Sequence, residues 1–177
     1  MSRILVTGFR PYSLITRITG NPSEVVATAL GARYGSSAEV HVLNADATCV
    51  IETESLGKTP GVSGILMFGA NIQASPVVLE LEGVDKANGV MGPLRRKINS
   101  TGASRFIEYA KATGVPVAKA PATPLVYWCL RSYAAALEWA EPRGIPCLFM
   151  HVNTIRVSSN DYIEIASRFF EKMRDSY

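Results

Sequence analysis

Short runs of aliphatic and β-branched residues alternate with longer stretches whose apolar positions recur at helical spacing, which predicts an α/β domain on a largely parallel sheet. Ile4-Leu5-Val6-Thr7 reads as a strand ending at Gly8, followed by a loop through Gly20. Asn21-Pro22-Ser23 then opens a helix carrying Val25, Val26, Ala29 and Leu30, with Asn21 or Ser23 as its cap. Glu39 to Leu43 alternates Val40 and Leu43 with polar neighbours, as a strand does. Gly64 to Phe68 is continuously apolar and reads as a central strand covered on both faces. Val77-Val78-Leu79-Glu80 is a further short strand. Gly83 to Pro93, with three glycines and a proline, reads as loop, Arg96 to Ala112 as helix, and Val115 to Ala118 as strand.

From Cys129 to Ala140 the positions Tyr133, Ala136, Leu137 and Ala140 form one helical stripe, so a helix begins close to Cys129 and ends before Pro142. Pro146 to Val152 is a buried-looking strand that delivers His151 at its end. Asp161 to Met173 is a terminal amphipathic helix with Ile163, Ile165, Ala166, Phe169 and Phe170 on its apolar side. No repeat or linker divides the chain, so residues 1–177 are expected to form a single domain.

Composition narrows the function classes. The 177 residues are 47% hydrophobic and 19% charged, with 18 Lys+Arg against 15 Asp+Glu. The net charge of +3 is scattered along the chain, which argues against a nucleic-acid stripe and a polybasic membrane anchor. No apolar run approaches the roughly 20 residues of a membrane helix, and Ile4 to Phe9 is too short for a signal-peptide core of about 7–15 residues, so a cytoplasmic location is expected. Cys49, Cys129 and Cys147 are an odd count without CxxC or CxxH spacing, which disfavours a disulfide framework or a zinc site.

A thiol in the first turn of a helix faces free backbone N–H groups and the positive end of the helix dipole, which favour a thiolate and can hold an oxyanion. Cys129 occupies such a place. Of the two histidines, His41 lies inside a strand and reads as outward-facing, whereas His151 at a strand's end is the better general base. Glu80 ends a short strand and could orient the imidazole from the same sheet edge. Each residue also has a plainer reading. Free cysteines are commonly core filler, as Cys49 and Cys147 are expected to be, and histidines and acids at strand ends are commonly satisfied locally. The loop after Gly8 has no GxGxxG glycines, so a dinucleotide site is not supported.

Several segments, in order, resemble pyroglutamyl peptidase I, the pyrrolidone-carboxylate peptidase family of cysteine peptidases. Ile4-Leu5-Val6-Thr7-Gly8-Phe9-Arg10-Pro11-Tyr12 is similar to its opening ILVTGFxPF, and Asn21-Pro22-Ser23 to the NPS that follows. Phe68-Gly69-Ala70 through Val77-Val78-Leu79-Glu80 resembles its strand, glycine turn and second strand ending in a glutamate. Val126-Tyr127-Trp128-Cys129 resembles the TYVC segment, and Phe149-Met150-His151-Val152 resembles FIHV. The resemblance implies a three-layer α/β/α hydrolase that removes N-terminal pyroglutamate, with Cys129 as nucleophile, His151 as base and Glu80 as orienting acid. It further implies Phe9, Tyr12 and Asn21 as substrate-binding residues, no metal or organic cofactor, a peptide or other small substrate, and a homo-oligomer as one assembly to expect.

Departures cluster near the implied site. Ser13 and Leu14 replace a glycine pair, Leu125 a glycine and Leu130 an asparagine, Asn153 replaces a proline, and the segment after Glu80 is shortened. They keep two alternatives open: a cysteine amidohydrolase or acyl-transfer enzyme with a remodelled pocket and a different small substrate, and a catalytically silent homologue acting as a binding protein.

Overall fold

A computed structural model describes residues 3–11, 20–71, 75–86, 94–98, 101–119, 128–153 and 159–176. Its strands are β1 (Arg3–Phe9), β2 (Ala38–Leu43), β3 (Val62–Asn71), β4 (Val77–Glu80), β5 (Glu82–Lys86), β6 (Leu94–Ile98), β7 (Val117–Ala118) and β8 (Cys147–Asn153). Its helices are α1 (Pro22–Tyr34), α2 (Thr48–Leu56), α3 (Ser104–Ala112), α4 (Trp128–Ala140) and α5 (Ser159–Arg174). The main sheet has the order β2-β1-β3-β8-β4-β7, parallel except where β4 runs antiparallel to β8.

Strand alternation divides the core into two layers of contact. Ile4 and Val6, Leu66 and Phe68, Val77 and Leu79, and Leu148 and Met150 face one side, where α1, α3 and α5 supply Leu30, Phe106 and Phe169. Leu5, Ile65, Met67 and Phe149 face the other, against Cys49 of α2 and Leu130, Tyr133 and Leu137 of α4. The result is the expected three-layer α/β/α arrangement. The continuously apolar β3 is central, paired with β1 and β8 and covered on both faces.

Asn21 caps α1. Its Oδ1 accepts from the Ser23 backbone N–H at 3.1 Å and from the Ser23 hydroxyl at 2.8 Å, while its Nδ2 donates to Arg10 O at 3.1 Å. Because this amide is fully buried, Asn21→Ala is expected to cost roughly 1–3 kcal/mol, read as a lowered denaturation midpoint at unchanged slope.

Two stretches differ from the sequence reading. The region from Gly83 to Pro93, expected as loop, begins in β5, which pairs antiparallel with β6 in a separate two-stranded sheet. Gly83 serves a close approach and not a turn: a Cβ there would lie 2.6 Å from Ala134 N and 2.7 Å from its Cα, so the hairpin sits directly on α4. The helix expected over Arg96 to Ala112 instead starts at Ser104, because residues 96–98 are taken up by pairing with β5. Antiparallel pairing with the preceding strand overrides the local helical spacing there. Further, β1 runs on through Gly8 to Phe9, and α2 has no counterpart in the sequence reading.

Candidate active site

Register brings three strands to one point. On β8, His151 is paired with Gly69 of β3 on one side and with Val78 of β4 on the other, while Phe149 is paired with Glu80. Alternation then puts Gly69, Phe149, His151 and Glu80 on the same face of the sheet, the face that carries α4. The expected loci thus converge: His151 near the end of its strand, Glu80 at the end of β4, and Cys129 in the first described turn of α4.

The three side chains form a continuous relay. His151 Nδ1 lies 2.7 Å from Glu80 Oε1, and His151 Nε2 lies 3.4 Å from Cys129 Sγ. A carboxylate can only accept, so Nδ1 carries a proton that it donates to Glu80, which leaves Nε2 to exchange a proton with the thiol. His151 and Glu80 are buried, whereas Cys129 is half-buried. Glu80 Oε2 is also buried and has no hydrogen-bond partner among the described residues, so this carboxylate's polar contact is with the imidazole. Burial by itself would lower the His151 pKa. The neighbouring Cys129 sulfur and then Glu80 overcome it and push the imidazole up to about 9, favouring its protonated form.

Aromatic packing fixes the ring. Phe149 meets the imidazole at 90° with centroids 4.8 Å apart, and Tyr133 stacks behind Phe149 at 5.2 Å. The α4 backbone is anchored from below by α2. Cys49 Sγ donates to Trp128 O at 3.5 Å, and the Thr53 hydroxyl, which donates to Cys49 O at 2.8 Å, accepts from the buried Ser132 hydroxyl. Cys49 and Cys147 are buried, as expected of core thiols. Burial, and then the charge at Cys129, pushes the Cys49 thiol up to about 12, and burial pushes Cys147 up as well, so neither competes as a thiolate.

The remaining residues are placed as follows. Phe9 is 3% exposed and joins the same apolar cluster as Phe149, with Trp128 and Cys129 packed against it. Tyr12 lies outside the described residues, as do Ser13, Leu14 and Leu125. Asn21 spends its amide on capping α1 and on Arg10. His41 stands on β2, separated from β8 by β1 and β3, with its Nε2 3.1 Å from Glu39 Oε1. A cleft of about 290 Å³ lies on the opposite face of the sheet, lined by Val77, Tyr109, Pro116, Arg168 and Phe169, and contains none of the relay residues. Among the described residues, no group of three or more His, Cys, Asp or Glu could hold a metal ion, and no helix is long and apolar enough to cross a membrane.

No protein-family profile matches this sequence, and no curated protein sequence matches it significantly. Solved structures do. The pyrrolidone carboxyl peptidase from Thermococcus litoralis superposes with a TM-score of 0.72 at 18% identity, covering 100% of this chain and 94% of that one. A variant of the pyrrolidone carboxyl peptidase from the hyperthermophile Pyrococcus furiosus gives 0.70 at 16% identity, covering 97% of each chain. The chain has the pyrrolidone carboxyl peptidase fold. Within it, the Cys129, His151 and Glu80 relay occupies the edge formed by the C-terminal ends of β3 and β8, where ligands of open α/β sheets commonly bind.

One contributor to this site escaped the chemical reading of the sequence. Gly69, quoted only as part of a strand and turn, lies beside both Cys129 and His151. A glycine interrupting an otherwise apolar strand is the available signal for such a close approach.

Proposed function

We propose that the protein is a cysteine hydrolase that removes N-terminal pyroglutamyl residues from peptides. The observation that carries this reading is the unbroken relay from Cys129 through His151 to Glu80, and the fold shared with the pyrrolidone carboxyl peptidases supports the acyl specificity. The Cys129 thiolate attacks the pyroglutamyl acyl carbon. As the tetrahedral adduct collapses, the C–N bond breaks and His151 Nε2–H gives its proton to the departing amine. Water then attacks the thioester, His151 accepts a proton from it, and the acid leaves as the thiolate is restored. Glu80 keeps the imidazole in the tautomer and orientation that both steps need. The positive end of α4 favours charge at Cys129 and at a nearby oxyanion.

The deciding experiment is release of a fluorescent amine from a pyroglutamyl amide, with an alanyl amide as the competing acyl group. Release that requires the pyroglutamyl ring is the expected result. No release from a protein whose Cys129 is still selectively alkylated by iodoacetamide would refute the pyroglutamyl assignment and favour a different small acyl substrate.

Phe9 supplies a second check. As a wall of the acyl pocket it contributes apolar and stacking contact, so Phe9→Ala is expected to lower kcat/KM by a factor equivalent to roughly 1–3 kcal/mol. Because Phe9 is also buried in the core, the same change should cost about 3–5 kcal/mol of folding stability, and kinetics must be read well below the unfolding transition. An unchanged kcat/KM in the folded variant would assign Phe9 to packing only.

A further inference from the structure

A Cβ built at Gly69 would lie 2.6 Å from Phe149 Cζ, 3.1 Å from His151 Cδ2 and 3.2 Å from Cys129 Cβ. Gly69 is not one of the glycines with positive φ, and it sits within the ladder of β3. Its backbone would therefore accept an alanine, and what excludes a side chain is the surroundings. Those surroundings are the two reacting residues and the ring that braces one of them.

We propose that Gly69 is a positioning residue, whose missing side chain is the space into which Cys129 and His151 converge to bring sulfur and nitrogen into contact. The inference rests on the Cys129–His151 reading above and deepens it. Phe149 cannot swing aside freely, because it is held between Tyr133 and the imidazole. A methyl group at residue 69 must therefore be accommodated by displacing Phe149, the His151 ring and the first turn of α4 together. The Sγ to Nε2 contact is 3.4 Å, within reach for sulfur, so a shift of a few tenths of an ångström weakens the pairing that favours thiolate and imidazolium.

The test is the iodoacetamide alkylation rate of Cys129, followed by peptide mass spectrometry from pH 5 to 10, which needs no assumption about substrate. Gly69→Ala is expected to slow alkylation at pH 7 by roughly ten- to a hundredfold and to move the rise of the profile to higher pH, because a thiol held away from His151 gives up its proton less readily. The double variant Gly69→Ala, Phe149→Leu removes the Cζ clash but keeps the methyl group against Cys129 and His151. It should fold with a lowered midpoint and alkylate more slowly than Phe149→Leu alone, which carries the loss of the buried ring without the added methyl group. A wild-type rate and pH profile in either variant would overturn the proposal, and so would failure of both to fold, which would make Gly69 a packing residue alone. A wild-type protein inactive on pyroglutamyl amides whose alkylation nevertheless depends on Gly69 would remove the substrate assignment and leave this inference standing.

Discussion

Replacing Cys129 by alanine is expected to reduce hydrolysis of a pyroglutamyl amide by at least roughly 10⁴-fold, down to whatever binding and oxyanion stabilisation give without a nucleophile. The loss should fall on kcat, because the sulfur forms a bond only as the reaction proceeds. Folding should be little affected, since Cys129 is half-buried and its sulfur's partner, His151, retains Glu80. Cys129→Ser separates the sulfur from the shape: a hydroxyl of similar size is a far weaker nucleophile beside the same imidazole, so activity should remain nearly absent. Kinetic assays paired with denaturation curves check both points. Retained turnover in Cys129→Ala would refute the mechanism outright, because Cys49 and Cys147 are buried thiols with raised pKa values and cannot replace it.

The elements that carry Cys129, His151 and Glu80 were legible in the sequence because local patterns are strong there, whereas the grouping of the three residues into one set came from the resemblance. Val77 to Glu80 is a short apolar strand whose last residue is the acid, the stripe from Tyr133 to Ala140 requires a helix starting near Cys129, and the apolar run before His151 ends at the sheet edge. What was not legible depends on contacts between elements and not on the pattern within one. The residues of β5 and β6 carry glycine and clustered basic residues, which locally suggest loop and helix, and become strands by pairing with each other. In α2 the inward positions are Cys49, Thr53 and Leu56, a stripe with one strongly apolar member, so its helical period is faint. That helix nevertheless supports the start of α4 through Cys49 and Thr53, and so helps set where Cys129 stands.

Glu80→Gln tests the relay at its buried end. A glutamine can present an N–H to His151 Nδ1, which favours the tautomer with the proton on Nε2 and leaves Nε2 unable to accept one. The expected loss in kcat is roughly 10²- to 10⁴-fold, with KM little changed, and smaller than for Cys129→Ala because the nucleophile remains. The pH dependence should shift with it. In the wild type the folded-state pKa of His151 is raised from its ordinary 6.5 to about 9, so the stabilisation from its protonated form is fully present below pH 6.5 and is lost as pH rises through 9. Activity that needs the imidazolium as acid toward the leaving amine should decline over the same alkaline range. Removing the Glu80 charge removes one of the two partners that raise this pKa, so in Glu80→Gln both the stability loss and the alkaline limb of kcat should begin at lower pH. Denaturation midpoints and pH–rate profiles of the two proteins measure this directly. Coincident alkaline limbs would show that Glu80 does not hold the His151 proton, and that Cys129 alone raises the imidazole.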